Sequence, residues 1–331
     1  MATFKYYNLQ VLPLDGKEEN LIGSDGYKKI FSSYSEVVNK AFRERKLPTI
    51  SHDLMNDMQF SFKKIEIKDQ YAQGKLIKFD HIDRLVEVYT NDELYENKSE
   101  QSIASSKRVE FDFVFDFKKH ILAVEAKQGL PSTKVLIESI LSLLASTVTD
   151  EYASHYIKII ELTDASSLEK VLDEADYYKK VSVEVTFSNS DKLERGLLSL
   201  IDENSRENNI HTIKAEQKPP KDRSSKAISM VLMPLIILST KLGNSDITYM
   251  KDNKEITYHM REYPVKKRVG RDSKMTDDDY YSQIFTSITN AEFTARTAEE
   301  TNKKLLDEYK IEENYGSSSF NKLLKQIKSI F

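Results

Sequence analysis

Asp112, Glu125 and Lys127 are the residues whose types and spacing best suit chemistry in this chain. They belong to the stretch from Arg108 to Lys127, where Phe111, Phe113, Phe115 and Phe117 alternate with Glu110, Asp112, Val114 and Asp116. That is the period-two pattern of a strand with one buried face and one largely polar face. A two-residue turn at Lys118-Lys119 returns the chain along a second strand, so that Phe115 faces Leu122, Asp112 faces Glu125 and Glu110 faces Lys127. Two carboxylates on one face could hold Mg²⁺, and Lys127 beside them could orient or activate an attacking water. The competing expectation is a charged solvent face on a half-buried hairpin, with Glu110 and Lys127 as an ordinary cross-strand ion pair.

An Asp followed by Glu-x-Lys on the next strand resembles the restriction-endonuclease-like nuclease superfamily, although the Pro that usually precedes the first Asp is absent here. The resemblance implies a Mg²⁺-dependent nuclease as the alternative to a chain with no catalytic residues, no metal and no cofactor. Other chemistries find no support. The six histidines are scattered without the spacing of a metal pair or a triad. Gly23-Ser-Asp-Gly26 lacks the lysine and the strand-to-helix context of a phosphate loop. Asp277 to Asp279 reads as an acidic helix start.

Two basic clusters suit a different role. Lys218, Lys221, Arg223 and Lys226 lie in and just after a Pro-Pro loop, and Lys266, Lys267, Arg268, Arg271 and Lys274 follow a second hairpin. Phosphate contacts need Lys and Arg on exposed, adaptable backbone, which both segments are expected to provide. Tyr249, Tyr258 and Tyr263 could stack on bases or pack within the fold.

The elements that must position these residues follow from pattern. Phe4 to Leu14 reads as extended, and Tyr27 to Ala41 as a helix with Ile30, Phe31, Tyr34, Val37, Val38 and Ala41 inward. Met58 to Ile67 and Lys75 to Tyr89 read as strands, and Asn91 to Ser106 as a loop. After Pro131, Ser132 caps a helix carrying Val135, Leu136, Ile140, Leu143 and Leu144. Tyr156 to Leu162, Val181 to Phe187 and His211 to Ala215 read as strands alternating with helices at Ser166 to Ala175 and Asp191 to Ile201. Lys226 to Leu242 reads as a helix kinked at Pro234, and 247–250 with 255–260 as a hairpin. From Thr276 onward the chain reads as helical, with a break at Gly316. The expected class is α+β: mixed sheets with β-hairpins and βα repeats, and a helical C-terminal tail. The expected divisions are 1–128, 129–275 and 276–331.

Composition sets the outer bounds. A chain of 331 residues with 39% hydrophobic content can bury substantial cores. No cysteine is present, which excludes disulfides and thiolate chemistry and fits a reducing compartment. The longest apolar run, Met230 to Leu238, is too short to span a bilayer, so a cytoplasmic protein without membrane attachment is expected. A net charge of −4 gives no global attraction to nucleic acid, so such binding must come from the local clusters.

The Phe-rich hairpin from Phe111 to Lys127, the strand and helix alternation, the helix ending at Gly243 and the Ile247 to Tyr258 hairpin running into Tyr263-Pro264 together resemble the domain of unknown function 4747 family of bacterial and prophage proteins. That family is similar in turn to the lambdoid phage exclusion protein RexA, where a comparable Val-Glu-Ala-Lys strand, here Val124 to Lys127, precedes a helix. The resemblance implies an exclusion or abortive-infection role in anti-phage defence, with dimeric, sequence-nonspecific binding of double-stranded DNA and no established catalysis. It transfers no active-site residues. The expected partners are therefore double-stranded DNA, a second copy of the chain and a second defence protein, with a pure interaction scaffold as the remaining alternative.

Overall fold

The computed structural model describes residues 1–14, 20, 22–82, 84–96, 104–186, 205, 208, 210, 212–221, 223–229, 231–272 and 274–296. The chain forms two compact units. The first comprises Met1–Asp15, Glu19–Glu161 and Lys266–Ala291; the second, among the described residues, comprises Leu162–Val265 and residues 292–296. The divisions expected at 128 and 275 therefore fall inside the first unit, because strands and a helix from both ends of the chain close one sheet.

That sheet begins with β1 (Ala2–Pro13), followed by helix α1 (Gly23–Arg43) and the short strand β2 (His52–Asp53). A meander follows: β3 (Met58–Ile67), β4 (Tyr71–Asp80), β7 (Val109–Asp116) and β8 (Ile121–Glu125), with the pair β5 (Arg84–Val86) and β6 (Glu93–Glu96) inserted after β4. Helix α2 (Thr133–Glu151) and β9 (His155–Glu161) complete the N-terminal part. The strand order is β14-β1-β8-β7-β4-β3-β2, with β14 (Lys266–Val269) and β9 sharing one edge of β1. Every ladder described is antiparallel, and the α+β class expected from pattern is what the chain adopts.

One face of this sheet carries the aromatic stripe. Phe111, Phe113, Phe115, Leu122 and Val124 pack with Tyr27, Ile30, Phe31, Tyr34 and Val38 of α1 and with Leu136, Ile140 and Leu143 of α2. Phe31 stacks on Phe115 with ring centroids 4.6 Å apart. Burial of several large side chains of this kind stabilises the unit by about 1.5–3 kcal/mol for each. Val37 is turned outward at 41% exposure, so the apolar stripe of α1 is narrower than the sequence pattern. Ser132 occupies the cap position of α2 without using its hydroxyl as a cap.

The hairpin register is the expected one, with Phe113 opposite Val124 and Phe115 opposite Leu122. Its turn is longer than two residues, spanning 117–120, and His120 takes the positive φ that no glycine supplies. Asp116 compensates by accepting from the backbone N–H groups of Lys118 and Lys119 at 2.8 and 2.9 Å.

The second face is the main departure from expectation. It is closed by helix α5 (Asp277–Arg296), whose Tyr280, Tyr281, Ile284 and Ile288 are buried. Tyr6 on β1 shares a 2.7 Å hydrogen bond with Ser287, and Tyr71 stacks on Phe285. Asp112 on β7 therefore lies under a helix and not in solvent.

The β5–β6 hairpin was expected as a strand running on from Lys75 and a loop from Asn91. The chain instead leaves the sheet at Asp80, which accepts hydrogen bonds from Ser105 Oγ, Ser106 Oγ and Lys107 N at 2.6, 2.6 and 2.9 Å. Asp80 thus clamps both ends of the excursion. Among the described residues beyond the clamp, Val88 is exposed at 83% and Tyr89 at 93%.

The second unit contains α3 (Ala165–Glu174), β10 (Tyr177–Thr186), β11 (Thr212–Gln217), α4 (Leu232–Leu242), β12 (Gly243–Lys251) and β13 (Lys254–His259). The strands order as β11-β10-β12-β13, and α3 and α4 pack on one face. Helix α4 starts at Leu232 and not at Lys226, so Pro234 sits in the first turn, where its missing N–H breaks no helical hydrogen bond and requires no kink. Asp252 and Asn253 both take positive φ, as a two-residue hairpin turn requires. The helix expected at 191–201 and the tail beyond Arg296 lie outside the described residues.

Two outcomes follow. A Cβ on Gly74 would sit 1.9 Å from the Lys64 carbonyl oxygen across the β3–β4 ladder, so Gly74→Ala is expected to lower stability by about 1–3 kcal/mol in urea denaturation. Burial raises the Asp80 carboxyl, but its three donors outweigh burial and hold it well below the usual carboxylate range. A depressed folded pKa gives stability that is present above the unfolded value near ~3.9 and is lost as pH falls through the folded one. Asp80→Asn should therefore flatten the acid limb of a stability-versus-pH curve; an unchanged limb would remove Asp80 as its source.

Candidate functional site

Asp112 and Glu125 are brought together on the face covered by α5, at 6% and 9% exposure. The β4–β7 ladder sets Lys75 opposite Asp112, and their ion pair measures 2.7 Å. On the neighbouring strand, Glu125 Oε2 accepts from the backbone N of Asp112 at 3.2 Å and from Lys127 Nζ at 2.8 Å. Tyr281, in the first turns of α5, lies with its hydroxyl 2.8 Å from Asp112 Oδ1 and 3.1 Å from the Gly74 carbonyl oxygen. The arrangement is two carboxylates, two ammonium groups and a phenol donor. Each buried negative charge has a positive partner.

The expected pairing of Glu110 with Lys127 does not form. Lys127 turns to Glu125, while Glu110 takes Lys63 at 2.7 Å and Arg108. Burial raises Glu110, and the two cations outweigh it and lower its pKa.

The phenols report the same environment. Burial pushes the Tyr280 hydroxyl up to about 12, with further upward pressure from Asp112 and Glu125 and a smaller opposing effect from Arg271. Burial and the Asp112 charge raise Tyr281 further still, so it remains a proton donor. Sequence pattern missed Lys75 and Tyr281: Lys75 reads as one more strand lysine, and Tyr281 lies far along the chain from Asp112.

Among the described residues no group of three or more His, Asp, Glu or Cys side chains is placed to hold a metal ion. His259 Nδ1 lies 2.6 Å from Asp246 on the paired strands β12 and β13. The acidic run at Asp277 opens α5: Thr276 Oγ1 accepts from Asp279 N at 3.2 Å, Asp277 holds Arg271 and Asp278 holds Lys68.

The basic candidates divide between the units. Lys266, Lys267 and Arg268 form β14, a terminal strand of the first sheet, and are not the adaptable loop that was expected. Lys266 and Arg268 are exposed on one side of β14, opposite Lys5 and Thr3, while Lys267 lies on the other side opposite Phe4 and is half-buried. The Arg271 guanidinium lies 4.7 Å over the Tyr280 ring and 2.5 Å from Asp277; Lys274 is exposed.

Lys218, Lys221, Arg223 and Lys226 belong to the second unit and are all exposed. Their loop is pinned at its base. Gln217 holds Ala227 O and Ser229 N at 2.9 and 2.7 Å, and Ser225 makes two backbone bonds to Tyr178. Lys226 is part of this loop and not of a helix. Tyr249 and Tyr258 are core side chains; Tyr258 stacks on Tyr263, the one of the three that keeps an exposed face.

A family model described as "Domain of unknown function (DUF4747)" matches residues 6–290. No curated protein matches the chain.

The buried pairs generate a test. Tyr281→Phe is expected to lose about 1–2 kcal/mol of stability, and Lys75→Met about 2–3 kcal/mol because Asp112 is left buried without its cation. Adding Asp112→Leu to Lys75→Met should recover part of the loss in urea denaturation. Purely additive losses would show that the two do not act as a pair.

Proposed function

This chain belongs to the DUF4747 family, a domain of unknown function, and from that premise we propose that it is a non-catalytic protein that binds double-stranded DNA through the phosphate backbone. The observation that carries the reading is the state of its cations. Several lysines are matched to carboxylates, as Lys5 is to Glu161, Lys29 to Glu151, Lys63 to Glu110 and Lys180 to Glu216. Lys218, Lys221, Arg223, Lys226, Lys266, Arg268 and Lys274 are exposed and make no ion pair among the described residues.

An exposed cation without a carboxylate partner is suited to a phosphate. It gains Coulomb attraction and counterion release without first breaking an internal pair. Contacts of this kind fix position without reading sequence. Each unit carries one such segment, so each makes its own contribution to affinity.

The Asp112, Glu125, Lys75 and Lys127 network supports the non-catalytic reading. A hydrolytic centre needs carboxylates open to a metal and a phosphodiester, whereas these are buried, matched by lysines and covered by Tyr281. From the resemblance to RexA-type exclusion proteins read in the sequence we further propose a setting in anti-phage defence in the cytoplasm, with the chain acting as a dimeric sensor or regulator.

A second reading, an interaction scaffold engaging another defence protein, is favoured by the clamped β5–β6 hairpin. Leu85, Val86, Val88, Tyr89, Leu94 and Tyr95 are all exposed on it. A concentration of large apolar side chains on one projecting element is suited to protein contact.

One gel with labelled duplex, with and without Mg²⁺, separates these readings. A salt-sensitive shift without cleavage is expected. Lys266→Glu with Arg268→Glu, and separately Lys221→Glu with Arg223→Glu, should each lower the slope of log affinity against log salt by about 1 for every phosphate no longer engaged. An unchanged slope in both double variants would remove these segments from the DNA interface. Mg²⁺-dependent cutting abolished by Glu125→Ala would replace the reading with the nuclease.

A further inference from the structure

The first sheet opens at one end into a cleft of about 460 Å³ lined by Asn56, Met58, Lys78, Lys107, Val109 and the Gln128-Gly129 turn. This volume lies in the range of small-molecule sites. None of the lining residues is acidic, although the chain carries 53 acidic residues and a net charge of −4. Its two charges are Lys78 and Lys107, and neither is in an ion pair among the described residues. Asp80, two residues beyond Lys78 on β4, is already occupied by Ser105, Ser106 and the Lys107 backbone.

The walls are fixed by local structure. Lys107 is held through its backbone N–H, so its side chain starts from a defined position. Lys78 donates to the Gly129 carbonyl at 3.2 Å. Gly129 has φ +95°, and a Cβ there would meet the Val109 side chain at 3.2 Å, so glycine lets this turn lie down on the strand. Met58 and Val109 supply a half-buried apolar floor, and the Asn56 and Gln128 side chains are exposed at the rim.

We propose that this cleft binds a nucleotide: Lys78 and Lys107 take the phosphate, the Asn56 and Gln128 amides pair with the edge of the base, and Met58 and Val109 support its face. Ammonium groups bind phosphate by charge-assisted hydrogen bonds. A carboxamide offers a donor and an acceptor side by side, which matches the edge of a purine. The same chemistry is presented by a free nucleotide and by the phosphorylated end of a DNA strand. The site shares no residue with the basic segments of the DNA reading and does not depend on it.

The test is isothermal titration of the full chain with deoxyadenosine monophosphate and with inorganic phosphate, followed by displacement with a short 5′-phosphorylated oligonucleotide. Saturable binding of the nucleotide is expected, at least about tenfold tighter than phosphate alone. Lys107→Ala should weaken it about tenfold, and Gln128→Ala should weaken the nucleotide but not phosphate. Thermal midpoints equal to wild type show that these exposed substitutions leave the fold intact. Lys266→Glu with Arg268→Glu should bind the nucleotide as wild type does, which separates this site from the DNA surface. Displacement by the oligonucleotide at lower concentration than the free nucleotide identifies a strand end as the natural occupant, and weaker displacement identifies a free nucleotide. No saturable binding, equal affinity for phosphate and nucleotide, or wild-type affinity in both Lys107→Ala and Lys78→Gln would overturn the proposal.

Discussion

Two carboxylates buried on a sheet face impose the constraint on which the first unit depends. Asp112 and Glu125 sit under α5, where an unmatched charge would be costly. The ladder of β4 against β7 delivers Lys75 to Asp112, and the end of β8 delivers Lys127 to Glu125. Tyr281 then fastens the helix to the sheet by reaching both Asp112 and the backbone of Gly74. Polar matching of this kind specifies one docking position for α5 in a way that apolar burial of Ile284 and Ile288 alone does not.

The same interaction explains what was legible in the sequence and what was not. Period two showed the Phe-rich hairpin and which faces meet, and a turn centred on Lys118-Lys119 showed the register, which the longer turn preserves. Helical spacing showed α1 and α2, and the acidic run at Asp277 showed the start of α5, each a local signal. The burial of the acidic face was not legible. An alternation of Phe with Asp is also the signature of a solvated strand, and the covering helix lies more than a hundred residues away. Lys75 and Tyr281 escaped notice because nothing local marks a lysine or tyrosine whose partner arrives through tertiary pairing. The basic segment at Lys266 was legible as charge but not as a strand, since four residues dominated by Lys and Arg have little β pattern; what makes them β14 is an open edge on β1.

That edge is also where charge is left unmatched. Strands at the border of a sheet commonly carry lysine, which discourages pairing with another chain. Lys266 and Arg268 meet that need, and so their positive charge has a structural reason as well as the proposed one. The loop at 218–226 has no such reason: its base is held by Gln217, Ser225 and Tyr178, and four cations stand on it with no carboxylate paired to them among the described residues. Of the two segments, the loop is therefore the more informative about an external anion.

The route of the chain adds a constraint of connectivity. Unit one is interrupted in sequence by the whole of Leu162–Val265, yet β14 and α5, which lie after the interruption, are needed to finish its sheet and cover its second face. The interruption is kept short in space. Val265 N donates to Leu162 O and Asp164 N to Tyr263 O, each at 2.8 Å, so the two ends of the second unit leave side by side. Closing a long loop costs entropy that grows only slowly with length, but a folded insert with adjacent ends removes most of that cost. The second unit has its own core and a sheet of local hairpins, β10 with β12 and β12 with β13. On β1, Glu161 at the end of β9 lies opposite Tyr7 and Lys266 at the start of β14 lies opposite Lys5, so the chain re-enters the sheet close to where it left. Completion of the first sheet, and with it the sealing of Asp112 and Glu125 beneath α5, therefore depends on chain that follows the insert.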